Sequence, residues 1–116
     1  DEKEALKKLG TFIRKHLEAA DCQKAILVGH NAPFDHSFLL AACQRHQIKF
    51  MFHAFSTFDT VSLSALLLGE TVLAKALMAS KIDYDAKEAH SALYDANQTA
   101  KLFCYLVNNT KLLRTL

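Results

Sequence analysis

This 116-residue chain has no tryptophan, one proline and three glycines, and nowhere does it run apolar for long. A membrane helix needs roughly 20 consecutive apolar residues, so no membrane span is expected. The start shows no basic, apolar and small-residue leader, and the expected location is cytoplasmic. Cysteine is scarce too: Cys22, Cys43 and Cys104 are odd in number, widely spaced and set in apolar surroundings. Without a Cys-x-x-Cys pair they point away from a zinc site or a disulfide framework and towards buried free thiols in a reducing compartment. Excess charge is missing as well. Fourteen Lys and Arg against twelve Asp and Glu leave a net +2, which by itself announces no nucleic-acid binder, although a local basic patch is still allowed. Internal repeats and low-complexity linkers are absent, so residues 1–116 read as a single domain.

What the chain does have is a core. Apolar residues make up 51% and charged residues 22%, the balance of a folded protein. Residues 2–20 carry Ala5, Leu6, Leu9, Phe12, Ile13 and Leu17 at helical spacing. Lys7, Lys8, Arg14 and Lys15 fall between them, as a solvated face or as phosphate contacts. Gly10 costs this helix about 1 kcal/mol relative to alanine. Ala25 to Val28 is a short apolar run before Gly29, suited to a central strand covered on both faces. Asn31 is placed to cap the next helix, with Pro33 in its first turn and Phe34, Phe38, Leu39, Ala42 and Cys43 as its apolar face. A strand is expected to end near Asp59, followed by a capped helix that Gly69 stops. A short helix over 71–80 and a final helix over 91–108 complete the chain. The final helix is expected to bury Ala92, Leu93, Ala96, Ala100, Phe103 and Val107. Five helices against two strands is unbalanced for an α/β protein, because a buried strand needs neighbours for its backbone groups. The remaining sheet is expected from a partner or from residues upstream of Asp1.

Two stretches carry chemistry. Asp35 and Asp95 each fall in the first turn of a predicted helix, where the positive end of the helix dipole favours an anion. Asp35 also follows an apolar strand, and open α/β sheets place ligands beyond the carboxyl ends of strands. Hard carboxylate oxygens there suit Mg²⁺ or Mn²⁺. His90 precedes Asp95 by five residues, about 500° of helical rotation, so both cannot share one face of a regular helix. His90 is therefore expected on the preceding loop, where an imidazole can take a proton from water. On spacing alone, a dipole-partner aspartate and a surface histidine are the commoner explanation of these residues.

The stretch Gly29-His30-Asn31-Ala32-Pro33-Phe34-Asp35 resembles the second motif of the DEDD exonucleases, and His90 followed by Asp95 resembles the HxxxxD motif of their histidine subclass. Within that group the similarity is to the ribonuclease T branch. It extends through Phe52 to Thr60, Gly69 to Leu73, Ala89 to Asp95 and Thr99 to Cys104. The resemblance implies an α/β, ribonuclease H-like exonuclease fold, incomplete here, and a homodimer trimming RNA 3′ ends, tRNA among them, by two-metal-ion hydrolysis. It implies that Asp35 and Asp95 are two of four metal-binding carboxylates for two Mg²⁺ or Mn²⁺ ions. It also implies that His90 is the general base and that Phe34 and Phe55 stack on the terminal bases. A proofreading-type DNA exonuclease acting on single-stranded DNA and a non-catalytic nucleic-acid-binding or dimerisation module are the alternatives.

One departure stands out. The family's first motif, Asp-x-Glu on a strand, has no counterpart; Asp1-Glu2-Lys3-Glu4 has the wrong spacing and belongs to a helix. The chain therefore reads as the C-terminal portion of an exonuclease domain, expected to be inactive alone.

Overall fold

A computed structural model describes residues 1–110, which form five helices and two short strands. The strands β1 (Leu27–Gly29) and β2 (Thr57–Asp59) pair in a two-stranded parallel sheet, so the architecture is α/β and mostly helical. All three β1 residues are half-buried. The burial on both faces that an apolar run suggests is not reached, because two three-residue strands do not enclose one another. By contact the chain divides into two compact units. The first comprises Asp1–Leu27 and Ala32–Phe58; the second comprises Val28–Asn31 and the chain from Asp59 on.

In the first unit, α1 (Glu2–Ala19) starts where Asp1 accepts the Glu4 N–H at 2.8 Å, and Glu2 and Glu4 lie at the positive end of its dipole. Helix α2 (Ala32–Arg45) pairs with it. Leu6 of α1 packs with Ala42 and Cys43 of α2, and Leu39, Ile48, Phe50 and Met51 close around them. Glu2 ties the open end by accepting hydrogen bonds from Arg45 at 2.7 Å and His46 at 2.9 Å. The expected apolar face of α2 is only half right. Phe34 and Phe38 are exposed. Eight residues amount to about 80° of drift around a helix, enough to turn Phe34 off the face that Ala42 presents. Of the stripe on α1, only Leu6 is buried, beside Gly10.

In the second unit, Asp59 caps α3 (Thr60–Leu68) by accepting the Val61 N–H, and Gly69 ends it in the left-handed region at φ +72°. Helices α4 (Leu73–Ala79) and α5 (Ala92–Asn109) pack on it around Ala76, Leu77, Leu102 and Leu106. The buried stripe of α5 is not the expected one. Gln98, Thr99, Leu102 and Leu106 face inward, while Ala92, Leu93, Ala96, Ala100 and Val107 are exposed and Phe103 is half-buried. The two stripes differ by about one residue, or 100° of rotation. Gln98 tolerates the interior because its amide donates to the Asp83 carbonyl.

The cysteines also differ from expectation: Cys43 is buried, and desolvation pushes its thiol up, but Cys22 and Cys104 are exposed. No single described helix is long and apolar enough to cross a membrane; α3 and α4 taken together are, by length and composition, but they meet at a 45° bend.

Candidate functional site

In the first unit the site residues are gathered at the start of α2 and on the loop before β2. Asp35 lies in the first turn of α2, exposed, with no side-chain hydrogen bond or ion pair among the described residues. Phe34 beside it is 68% exposed and Phe55 is 82% exposed. Two aromatic faces that large in water are available to flat partners. The next residue along α2, His36, turns inward. Its Nε2 donates to the His53 carbonyl at 2.8 Å and its ring lies edge-on to Phe50. His53 in turn accepts the backbone N–H groups of Phe55 and Ser56 on Nδ1.

In the second unit, residues 28–31 are fastened by polar contacts. His30 engages Thr60 Oγ1 through Nδ1 at 2.8 Å and the Thr71 carbonyl through Nε2 at 2.7 Å. Asp59 accepts the Asn31 N–H at 2.8 Å on the same oxygen that caps α3, and Ser62 Oγ donates to its other oxygen. Both ring nitrogens of His30 and both oxygens of Asp59 are thus engaged, with backbone groups and with the Thr60 and Ser62 hydroxyls, so neither side chain is free for proton transfer. They are structural residues of the motif.

The second unit also carries the stretch from Asp85 to Asp95. Asp85 closes a turn by accepting the N–H groups of Glu88 and Ala89 on its carbonyl and that of Lys87 on its side chain. His90 then takes φ +76°, a left-handed conformation uncommon for residues other than glycine, though histidine, like asparagine and aspartate, adopts it more often than most. Ser91 caps α5 through the Tyr94 N–H, and Asp95 donates its own N–H to the Ser91 carbonyl. His90 is thus off the helix and exposed, as the five-residue spacing predicts, and Asp95 is in the first turn of α5. Asp95 also begins the inward stripe that continues through Gln98, Thr99, Leu102 and Leu106. Its Oδ1 is buried with no hydrogen-bond partner among the described residues. A buried carboxylate oxygen without a donor is costly unless a cation or a donor completes it. Beside this turn lies an open depression of about 460 Å³, lined among others by Lys87, Glu88, Ser91, Tyr94 and Asn97.

A family model described as the 3′-5′ exoribonuclease Rv2179c-like domain matches residues 1–107 of the chain. The chain belongs to that family. It is 56% identical over 111 residues to "Ribonuclease T" of Baumannia cicadellinicola subsp. Homalodisca coagulata, covering 95% of this chain and 51% of that protein. It is 53% identical over 113 residues to "Ribonuclease T" of Vibrio cholerae serotype O1, covering 97% of this chain and 50% of that protein. The protein of the same name from Haemophilus influenzae is 52% identical over 111 residues, 95% of this chain and 48% of its own length. The chain spans about half the length of the curated relatives it matches.

The donor chemistry of Asp35 and Asp95 fits a hard divalent cation, and the orphaned Asp95 Oδ1 is the atom that such an ion would satisfy. Among the described residues, however, no group of three or more His, Cys, Asp or Glu side chains could hold a metal. The carboxylates are of the right kind and too few. Three contributors escape a reading by motif: His36, His53 and Tyr94, each of which holds a loop rather than offering chemistry. A histidine two residues before an exposed phenylalanine is the one local signal that could have pointed to His53, since side-chain acceptors commonly capture the amides two and three residues ahead.

Proposed function

We propose that this chain supplies half of the active site of a 3′-to-5′ exoribonuclease that trims the 3′ ends of RNA, tRNA among them. In this reading Asp35 and Asp95 are two of four carboxylates that hold two Mg²⁺ or Mn²⁺ ions, on a ribonuclease H-like fold acting as a homodimer. Bound there, such ions supply charge neutralisation and an acidified water. His90 takes the proton of the attacking water as the terminal phosphodiester is cleaved, a role that contributes about 10²–10⁴-fold. Phe34 and Phe55 receive the last bases by stacking, worth about 1–3 kcal/mol per base with little dependence on sequence. The observation that carries the reading is the buried, unpartnered Oδ1 of Asp95 in the first turn of α5, five residues after an exposed histidine held off that helix. The similarity to proteins named Ribonuclease T supports it.

With no Asp-x-Glu triplet in its sequence, the chain alone is inactive in this reading. The test is a Mg²⁺-dependent assay on a 5′-labelled RNA with a single-stranded 3′ end. The chain alone is compared with the same chain joined behind a segment that carries Asp-x-Glu on a strand. Stepwise shortening is expected only from the longer polypeptide, and Asp95→Asn abolishes it. Robust trimming by the isolated chain, or trimming indifferent to Asp95→Asn, overturns the reading. A matched single-stranded DNA tests the sugar preference in the same experiment.

A further inference from the structure

We propose that His53 is a positioning residue: it holds Phe55 out as a platform for the terminal base, and His36 locks that platform to the helix bearing Phe34 and Asp35. The inference rests on the reading of Phe55 as a base-stacking residue and adds to it the device that presents the ring.

The geometry starts at the backbone of His53, which is clamped from both sides. Its N–H donates to the Ala25 carbonyl at 2.7 Å, and its carbonyl accepts Nε2–H of His36 at 2.8 Å. Because a carbonyl can only accept, His36 carries its proton on Nε2. The His36 ring is itself buried and edge-on to Phe50, with centroids 5.0 Å apart, so it cannot swing away. From this anchored position the His53 side chain folds forward. Its Nδ1 accepts the N–H of Ser56 at 2.9 Å and, more weakly, that of Phe55 at 3.3 Å. Amides only donate, so Nδ1 is bare and the proton sits on Nε2. The His53 and Phe55 rings meet edge to face, 4.5 Å apart at 88°. Four hydrogen bonds and one ring contact thus fix a loop that carries a phenylalanine 82% exposed to water.

Holding an apolar ring still in solvent gains nothing from burial and costs rotamer freedom. That cost is repaid when a flat partner arrives, because a pre-ordered platform loses less entropy on binding than a loose one. His36 adds register, since it follows Asp35 directly on α2. The loop carrying Phe55 is thereby tied to the turn that presents Phe34 and Asp35.

The test uses the full chain and a short, 5′-fluorescein-labelled, single-stranded oligoadenylate, with a second probe whose 3′-terminal nucleotide is abasic. Phe55→Ala is expected to weaken binding of the first probe about tenfold. His53→Ala is expected to weaken it about three- to tenfold while leaving the melting temperature near that of the wild type. His53→Asn restores binding, because Asn Oδ1 and His Nδ1 stand the same number of bonds from Cβ; His53→Gln, one bond longer, does not. Amide exchange at Phe55 and Ser56 rises about tenfold in His53→Ala and returns towards wild type in His53→Asn. None of the variants alters binding of the abasic probe. A weakened Phe55→Ala beside an unchanged His53→Ala overturns the proposal alone, and so does failure of asparagine to rescue. No binding by the wild type, or equal binding by Phe55→Ala, overturns the reading of Phe55 and the proposal with it.

Discussion

The Tyr94 hydroxyl accepts the Asp85 N–H at 2.6 Å, so the residue next to Asp95 on α5 also fastens the turn that leads to His90. The same hydroxyl donates to the Asp83 carbonyl at 3.4 Å. Base candidate and carboxylate are thereby held by one helix end. Tyr94→Phe leaves the ring and removes both bonds. It is expected to cost about 0.5–1.5 kcal/mol in chemical denaturation and to speed amide exchange at Asp85. An unchanged Asp85 amide would show that the hydroxyl holds nothing.

His90 at φ +76° offers a second test of the same turn. A left-handed conformation costs an ordinary residue about 1–2 kcal/mol, and glycine gives back part of that in backbone entropy. His90→Gly is therefore expected to hold or raise stability by about 0.5 kcal/mol while removing the imidazole. A functional residue kept in an unfavourable conformation behaves this way. Destabilisation by more than about 1 kcal/mol would mean that the side chain itself supports the fold.

The rotated face of α5 can be checked by paired truncations. Leu102 is fully buried and Leu93 is 73% exposed. Leu102→Ala should cost about 2–5 kcal/mol, whereas Leu93→Ala should fall within about 0.5 kcal/mol of the wild type. Comparable losses at the two positions would restore the stripe expected from apolarity alone.

Gly10 is a place where the fold can be improved. A Cβ there would meet Arg14 Nη1 at 3.4 Å and Met51 Cε at 3.9 Å, both the far ends of flexible side chains. Gly10→Ala is expected to stabilise α1 by about 0.5–1 kcal/mol, raising the melting temperature by a few degrees. A lower melting temperature would mean that the neighbours of Gly10 do not yield.

Acid should loosen the joint between α1 and α2. The Arg45 guanidinium hydrogen-bonded to Glu2 holds its carboxyl below the usual carboxylate value against an opposing desolvation, and His46 adds to the lowering. A group whose folded value is depressed contributes stability above its unfolded value and loses it as pH falls through the folded one. The stability of the wild type should therefore fall more steeply through the acidic range than that of Glu2→Gln. Parallel curves for the two proteins would remove Glu2 from the account.

Helix boundaries were largely legible, because they depend on neighbours in the chain. Gly69 after Leu68 stands where the residues predict, and Asp59 ahead of Val61 and Ser91 ahead of Tyr94 are capping chemistry of the same local kind. The same locality put Asp35 and Asp95 into first turns and His90 off the helix. By itself, then, the sequence determined where elements start and stop, which family the chain resembles, and which acids and bases to watch. It did not determine which side of α5 or α2 is covered. That depends on which helix lies opposite, and on whether a polar group such as Gln98 finds a carbonyl at the right place. Only the tertiary structure decided that Leu93 faces water while Thr99 does not. It also decided that His30 and Asp59 are engaged by backbone groups and hydroxyls and that His53 holds up Phe55. Such roles arise from donors and acceptors brought together across the fold, where residue spacing carries no information.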